Sequence, residues 1–179
     1  GVPGTIGGAV FGNAGVPNTE IADFVTEVRC FDVTNGIRVL PKSEIEFSYR
    51  TSTFKKSSEE IAILEVTLEL KKGSAEKSLE QIKIIDAARR AKQPTGFTCG
   101  SWFKNPAPDK QAGKLIDEAG LKGYSVGDAQ ISEKHGNFFM NLGNATATDL
   151  LELSDKAERT VQEKFGVSLE EEVRIIGEK

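Results

Sequence analysis

The hydrophobic pattern changes period at Lys71-Lys72-Gly73-Ser74, and that change limits what the chain can fold into. Before it, Ile61-Ala62-Ile63-Leu64-Glu65-Val66-Thr67-Leu68-Glu69-Leu70 is apolar through its first half and alternates in its second, the pattern of a strand. After it, Leu79, Ile82, Ile85 and Ala88 or Arg89 recur at the spacing of one helix face over 78–92. Ser78 stands where an N-cap belongs, and Gln93-Pro94 stops the helix. A domain boundary therefore falls at this tetrapeptide, giving domains 1–74 and 75–179. Strands dominate the first part and helices mix with short strands in the second, which predicts an α+β fold.

The remaining elements follow from the same cues. Residues 25–33 read as a strand, Thr34-Asn35-Gly36-Ile37 as a hairpin turn and 37–40 as the returning strand, ended by Pro41. Residues 43–47 form a turn or short helix leading to the Tyr49-Arg50 loop. Helices are predicted over 112–119, with Gly120 at its C′ position, and over 148–165. In the latter Leu150, Leu153, Ala157 and Val161 share a face, Thr146 or Thr148 caps the start and Gly166 ends it. Short strands are expected at 97–103, 129–131, 138–141 and 173–176.

The bulk properties exclude several classes of function. With 179 residues and 38% apolar content the chain can build a core, and no run is long and apolar enough to span a bilayer. No signal peptide is visible, so no membrane partner is expected. A net charge of −4 argues against nucleic acid as the main partner, though it leaves room for a local basic pocket. Cys30 and Cys99 form neither a metal-ligand pattern nor a disulfide framework; they read as free thiols in a reducing cytoplasm, and no metal is expected.

Residues 1–15 contain six glycines, at 1, 4, 7, 8, 12 and 15, too many for a strand or a long helix. The stretch reads as a loop with one short helical turn. It lacks the GxGxxG spacing of a Rossmann turn, and no strand precedes it. From residues alone it is either an irregular loop or a bare backbone surface for a flat, anionic ligand. A chain opening directly on such a motif, without Met, reads as a fragment. Downstream lies Cys99-Gly100-Ser101-Trp102-Phe103-Lys104-Asn105-Pro106. Between the two is Phe47-Ser48-Tyr49-Arg50-Thr51-Ser52-Thr53-Phe54-Lys55. Later come Ala112-Gly113-Lys114-Leu115-Ile116, Ser132-Glu133-Lys134-His135-Gly136-Asn137-Phe138 and Leu169-Glu170-Glu171-Glu172-Val173-Arg174.

In this order the set resembles the UDP-N-acetylenolpyruvoylglucosamine reductase (MurB) family from the first residue to the last. The resemblance implies a partial FAD-binding lobe followed by a C-terminal α+β substrate-binding domain, in a bacterial cytoplasmic flavoenzyme that is a monomer when complete. It implies FAD and NADPH as cofactors and UDP-N-acetylglucosamine enolpyruvate as substrate. Residue by residue, it makes Gly4, Thr5, Gly7, Gly8 and Asn13 flavin contacts. It sets Arg50 against the substrate carboxylate and the developing enolate, a role suited to a planar, permanently charged fork. It makes Ser101 the donor of a proton to carbon and Glu172 its assistant. Glu171 is the alternative register for that glutamate; without the resemblance, Arg50 reads as a surface arginine and Glu172 as part of a solvated acidic run. Lys104 and Asn105 follow Ser101 closely and are substrate-contact candidates. Lys134 and His135 are candidates for the nucleotide diphosphate, or else structural residues. His135 is the only histidine, so a Ser-His-Asp triad has weak support. The segment 56–92 is short, which places the chain with the subtype that lacks a long tyrosine-bearing loop. Two rivals stand beside this reading: a flavin-dependent oxidase of the same fold, and a non-catalytic nucleotide-sugar-binding fragment.

Overall fold

The computed structural model describes residues 4–16, 19–57 and 60–177. Gly1, Val2 and Pro3 of the glycine-rich opening lie outside them. The elements in chain order are α1 (Ile6–Gly12), β1 (Gly15–Val16), β2 (Thr19–Glu20), β3 (Val25–Asp32), β4 (Gly36–Pro41), β5 (Phe47–Ser48), β6 (Thr51–Ser52), α2 (Thr53–Lys56) and β7 (Ile61–Leu68). They continue with α3 (Ala75–Lys92), α4 (Ala112–Glu118), β8 (Ser125–Val126), β9 (Ala129–Ile131), β10 (Phe139–Asn141) and α5 (Ala147–Phe165). The mixture is α+β. The chain divides into two compact units, residues 1–79 and 80–179, and the division falls inside α3.

The first unit is built on an antiparallel sheet of order β4-β3-β7. Its inner face buries Val25, Val28 and Cys30, and Val10, Ile45 and Phe54 complete that core. Val25 and Val28 are three residues apart yet both point inward. A bulge in the β3–β7 pairing between Val25 and Glu27 absorbs the extra residue. A second irregularity, between Arg29 and Cys30, steps β7 from Glu65 to Ile63 and leaves Leu64 and Glu65 exposed together. The β3–β4 hairpin is tighter in chemistry than its turn residues alone imply. Asp32, fully buried, accepts the Asn35 backbone N–H at 2.5 Å and its amide at 2.9 Å, and pairs with Arg38 at 2.7 Å. Burial alone would raise this carboxyl. The Asn35 hydrogen bonds and the Arg38 guanidinium outweigh it and hold the group below the usual carboxylate range. The connection spans residues 33–35, and only Gly36 has positive φ.

In the second unit α5 packs on β8, β9 and α4. Leu153, Ala157 and Val161 recur every fourth residue and are fully buried, with Ile116, Ala129, Ile131, Phe103 and Phe139 opposite. Thr146 and Asp149 close a capping box at the start of α5, and Gly166 caps its end at φ 65°. Thr146, not Thr148, is therefore the cap. At the end of α4 the N–H of Gly120 reaches Asp117 O and that of Leu121 reaches Ile116 O, a Schellman closure. The start of α4 meets the 135–137 turn backbone to backbone: a Cβ at Gly136 would lie 2.6 Å from Gly113 O. Glycine is required there by close approach.

Three local expectations are corrected. Helix α3 starts at Ala75, not 78: Ser74 Oγ accepts the Lys77 N–H at 3.4 Å, and Ser74 takes the cap assigned to Ser78. No residue of α3 is buried, and Leu79, Ile82 and Ile85 are exposed on its surface. The 97–103 and 173–176 strands are absent as continuous elements. Within 97–103 isolated antiparallel bridges, Ser101 with Phe138 and Phe103 with Glu171, take its place, and 173–176 carries no bridge among the described residues. The glycine-rich opening holds a two-turn helix, α1, rather than one turn.

Candidate functional site

The site residues fall into two groups, one in each unit. In the first, Thr5 caps α1 by accepting the Gly8 N–H at 3.0 Å. Gly4, Thr5 and Gly8 are exposed. A side chain at Gly4 or Gly12 would project into open space, so the surface in front of this loop stays bare only because these positions are glycine. Gly7 sits over Ile63, 3.6 Å from where its Cβ would be. Such a backbone surface suits a flat, anionic group. Asn13 is different. It is fully buried at φ 45°, donates to Ser48 O at 3.0 Å and accepts the Ala22 N–H at 3.3 Å. Its amide holds the end of α1 in place.

Arg50 is brought to the same region. It ends the two-residue connection Tyr49-Arg50 between β5 and β6, with φ 55°. Its Nη2 donates to Gly15 O at 3.1 Å, and its guanidinium lies 5.0 Å from the Tyr49 ring centroid. Lys55 Nζ donates to the Arg50 carbonyl at 3.1 Å, and Ser52 Oγ to Phe11 O at 2.8 Å. The bonds to Phe11 and Gly15 tie the arginine turn to α1 and to the segment that follows it. A non-glycine residue in the left-handed region costs free energy, and such strain gathers where a side chain's placement matters.

The second group surrounds the 101–104 segment. Gly100, at φ 92°, turns the chain into Ser101. Asn137, buried, then clamps the segment on both sides of Phe103: its Oδ1 accepts the Phe103 N–H at 2.9 Å and its Nδ2 donates to Phe103 O at 2.8 Å. The Trp102 N–H reaches Asn137 O at 2.8 Å. On the other edge lie residues 170–173. Lys104 N–H donates to Glu170 O and Glu172 N–H to Trp102 O, both at 2.8 Å. Ser101 and Glu172, far apart in sequence, therefore sit on paired backbone segments. The Ser101 hydroxyl makes no hydrogen bond among the described residues.

The binding candidates are already engaged with the fold. Lys104 Nζ pairs with Glu170 Oε1. Asn105 Oδ1 accepts the Ala112 N–H at 3.1 Å at the entry to α4. Lys134 Nζ donates to Arg90 O at 2.6 Å. His135 accepts the Asn137 N–H through Nδ1 at 3.2 Å and meets Phe138 edge-on at 4.8 Å. Burial, and then the Lys122 ammonium, push its pKa below the ordinary imidazole value, so the neutral ring is favoured. The clamp by Asn137 was not legible in the sequence, where Asn137 had no assigned role; neither was the anchoring of Trp102 and Glu171 described below. No local signal marks an asparagine that pairs with a strand from thirty-four residues away. No cluster of potential metal ligands occurs among the described residues. No helix of the structure is long and apolar enough to cross a membrane, among the same residues.

Comparison with known proteins gives the class first. Residues 92–176 match the model of the UDP-N-acetylenolpyruvoylglucosamine reductase C-terminal domain, so the second unit is a domain of a reductase family. Whole-chain similarity then extends this through the first unit. UDP-N-acetylenolpyruvoylglucosamine reductase of Anoxybacillus flavithermus is 44% identical over 180 residues, covering 100% of this chain and 59% of that protein. The reductase of Lachnoclostridium phytofermentans is 46% identical over 180 residues, covering 100% of this chain and 57% of its own length. The crystal structure of UDP-N-acetylenolpyruvylglucosamine reductase (MurB) from Thermus caldophilus superposes with a TM-score of 0.83 at 41% identity, covering 97% of this chain and 61% of that one. The chain belongs to the UDP-N-acetylenolpyruvoylglucosamine reductase family. It spans less than two thirds of the length of these relatives.

Proposed function

We propose that this chain carries the substrate-reducing machinery of a UDP-N-acetylenolpyruvoylglucosamine reductase, which converts UDP-N-acetylglucosamine enolpyruvate to UDP-N-acetylmuramate in the bacterial cytoplasm, as a monomer when complete. FAD, reduced by NADPH, supplies the hydride when bound. The exposed backbone of Gly4, Thr5, Gly7 and Gly8 offers it a bare surface, and Asn13 keeps that surface in place. Arg50 opposes the negative charge of the substrate carboxylate and of the enolate that hydride addition creates. A guanidinium does this without changing its own protonation state. The enolate carbon then takes a proton from the Ser101 hydroxyl. A serine is too weak an acid to do so unless a strong base forms beside it, and an enolate is one. Glu172 assists that transfer and restores the hydroxyl proton. Lys104, Asn105, Lys134 and His135 contribute to holding the nucleotide sugar.

The observation that carries the reading is the uncommitted Ser101 hydroxyl on a segment whose neighbours are all pinned. The test uses full-length protein carrying this chain. Ser101→Ala should leave flavin bleaching by NADPH near the parent rate and slow the return of flavin absorbance with substrate by about 10²–10⁴-fold, the usual worth of a general acid. Ser101→Cys should regain part of the loss. Reoxidation of the alanine variant at the parent rate would remove Ser101 as proton donor.

A further inference from the structure

The acidic run Glu170-Glu171-Glu172 supplies three carboxylates, and the structure gives its middle member a place unlike the others. Glu171 Oε1 accepts the Ser154 hydroxyl at 2.7 Å and the Trp102 indole N–H at 3.1 Å. The same indole N–H lies 2.8 Å from Ser154 Oγ. One oxygen thus joins three elements: the 101–104 segment, α5 and the 170–173 segment. Ser154 is 1% exposed and Trp102 6% exposed. The Trp102 ring is also held from its face, stacked on Phe139 at 4.7 Å and 19°. Next along α5, Glu158 senses the arrangement: burial first, then the charges of Glu171 and Asp155, raise its pKa.

We propose that Glu171 is a positioning residue: by gripping the Trp102 indole and the Ser154 hydroxyl it sets the register in which residues 170–173 lie along 101–104, and so holds Glu172 opposite Trp102, the residue next to Ser101. The inference rests on the function proposed above. Its physical basis is the weakness of the pairing itself. Residues 101–104 and 170–173 make only a bridge and a few backbone bonds rather than a long ladder. A short pairing specifies register poorly, and slipping by one residue turns every side chain to the opposite face. Such a slip would exchange Glu171 and Glu172. Two hydrogen bonds, from a buried hydroxyl and an indole, to residue 171 alone prevent it, because a slip by one residue would carry the acceptor away from both donors. It also assigns the two glutamates different work: Glu171 binds the core network, while Glu172 takes the role in proton transfer proposed above.

Both bonds end on a single oxygen, so the grip needs an acceptor and not a charge. That separates three variants. Glu171→Gln keeps a carbonyl oxygen, Glu171→Leu removes the acceptor, and Trp102→Phe removes one donor while keeping a ring to stack on Phe139. Trp102 is the only tryptophan, so the indole N–H resonance of this chain reports the grip directly. It should move in Glu171→Leu and hold near its parent position in Glu171→Gln. In the full-length protein, Glu171→Leu should slow substrate-dependent flavin reoxidation on the order of 10²-fold, the scale of an ångström-sized misplacement. Trp102→Phe should slow it by less, and Glu171→Gln should run near the parent rate. Substrate KM and NADPH-driven flavin reduction should hold in all three, which also verifies folding. Parent-rate reoxidation in Glu171→Leu, with Ser101→Ala and Glu172→Gln both slow, would overturn the positioning role alone. Equal slowing by Gln and Leu would overturn it too, since charge would then be what matters. Parent rates in all of these variants would overturn the proposed function together with it.

Discussion

Replacing Arg50 with glycine separates the arginine's cost to the fold from its use in the reaction. Arg50 occupies the left-handed region at φ 55°, at the second position of a two-residue connection. That conformation costs an L-residue roughly 1–2 kcal/mol, which glycine does not incur. Against the gain, glycine adds roughly 0.5–1 kcal/mol of unfolded-state entropy. The lost bond from Nη2 to Gly15 O, 3.1 Å and partly buried, contributes about 1 kcal/mol. The Tyr49 contact at 5.0 Å, on an exposed ring, contributes about 0.5 kcal/mol. These terms partly cancel, so the stability of the first unit should fall by no more than about 1.5 kcal/mol. Hydrogen exchange at amides of residues 45–56 in this chain measures it. In the full-length protein the same substitution should slow substrate-dependent flavin reoxidation by about 10²–10³-fold, the worth of one preorganised donor at a developing charge. Arg50→Lys should be intermediate, since it keeps the charge and loses the fork. A stability loss above about 2 kcal/mol would refute the claim that the turn is strained by its arginine. A parent-like reoxidation rate in Arg50→Gly would refute the catalytic role.

Two further predictions concern the fold that carries the site. The Asp32 carboxyl has a folded pKa below its unfolded value, so its stabilising contribution is present above the unfolded carboxylate range and is lost as pH falls through the folded pKa. Amide protection factors in the β3–β4 hairpin, taken relative to the intrinsic exchange rate at each pH, should therefore fall on acidification, and Asp32→Asn should flatten that dependence; an unchanged slope would refute it. Gly136→Ala places a Cβ 2.6 Å from Gly113 O, a backbone atom that cannot swing aside, and should cost about 1–3 kcal/mol. Urea unfolding of this chain followed by the fluorescence of Trp102, which lies in the same unit, should show a lower midpoint. A parent-like midpoint would show that the two segments move apart freely.

What the amino-acid order determined by itself was whatever depends on near neighbours. The apolar run of residues 61–64 with the alternation that follows it, and the four-residue recurrence of Leu153, Ala157 and Val161, place β7 and α5, because side-chain period is a property of the backbone geometry. Gly120 and the Thr146-to-Asp149 box end and begin helices through bonds spanning only a few residues. Motif order was enough to place the chain in its family, and it made Arg50, Ser101 and Glu172 the candidates proposed above. Even locally, competing caps misled: Ser74 and Ser78 are equally good by type, and which one begins α3 depends on where the chain enters the helix. The tertiary structure decided everything that needed two distant segments side by side. Asn137 clamps Phe103 across thirty-four positions, and Glu171 reaches Trp102 across sixty-nine. Residues 97–103 and 173–176 have strand-like composition, yet among the described residues the former make only isolated bridges and the latter none, since a strand exists by virtue of its partner. The buried hydroxyl, amide and indole groups have no periodic signature. Each is tolerated in the interior only because a particular partner satisfies it, and only the folded chain brings that partner near.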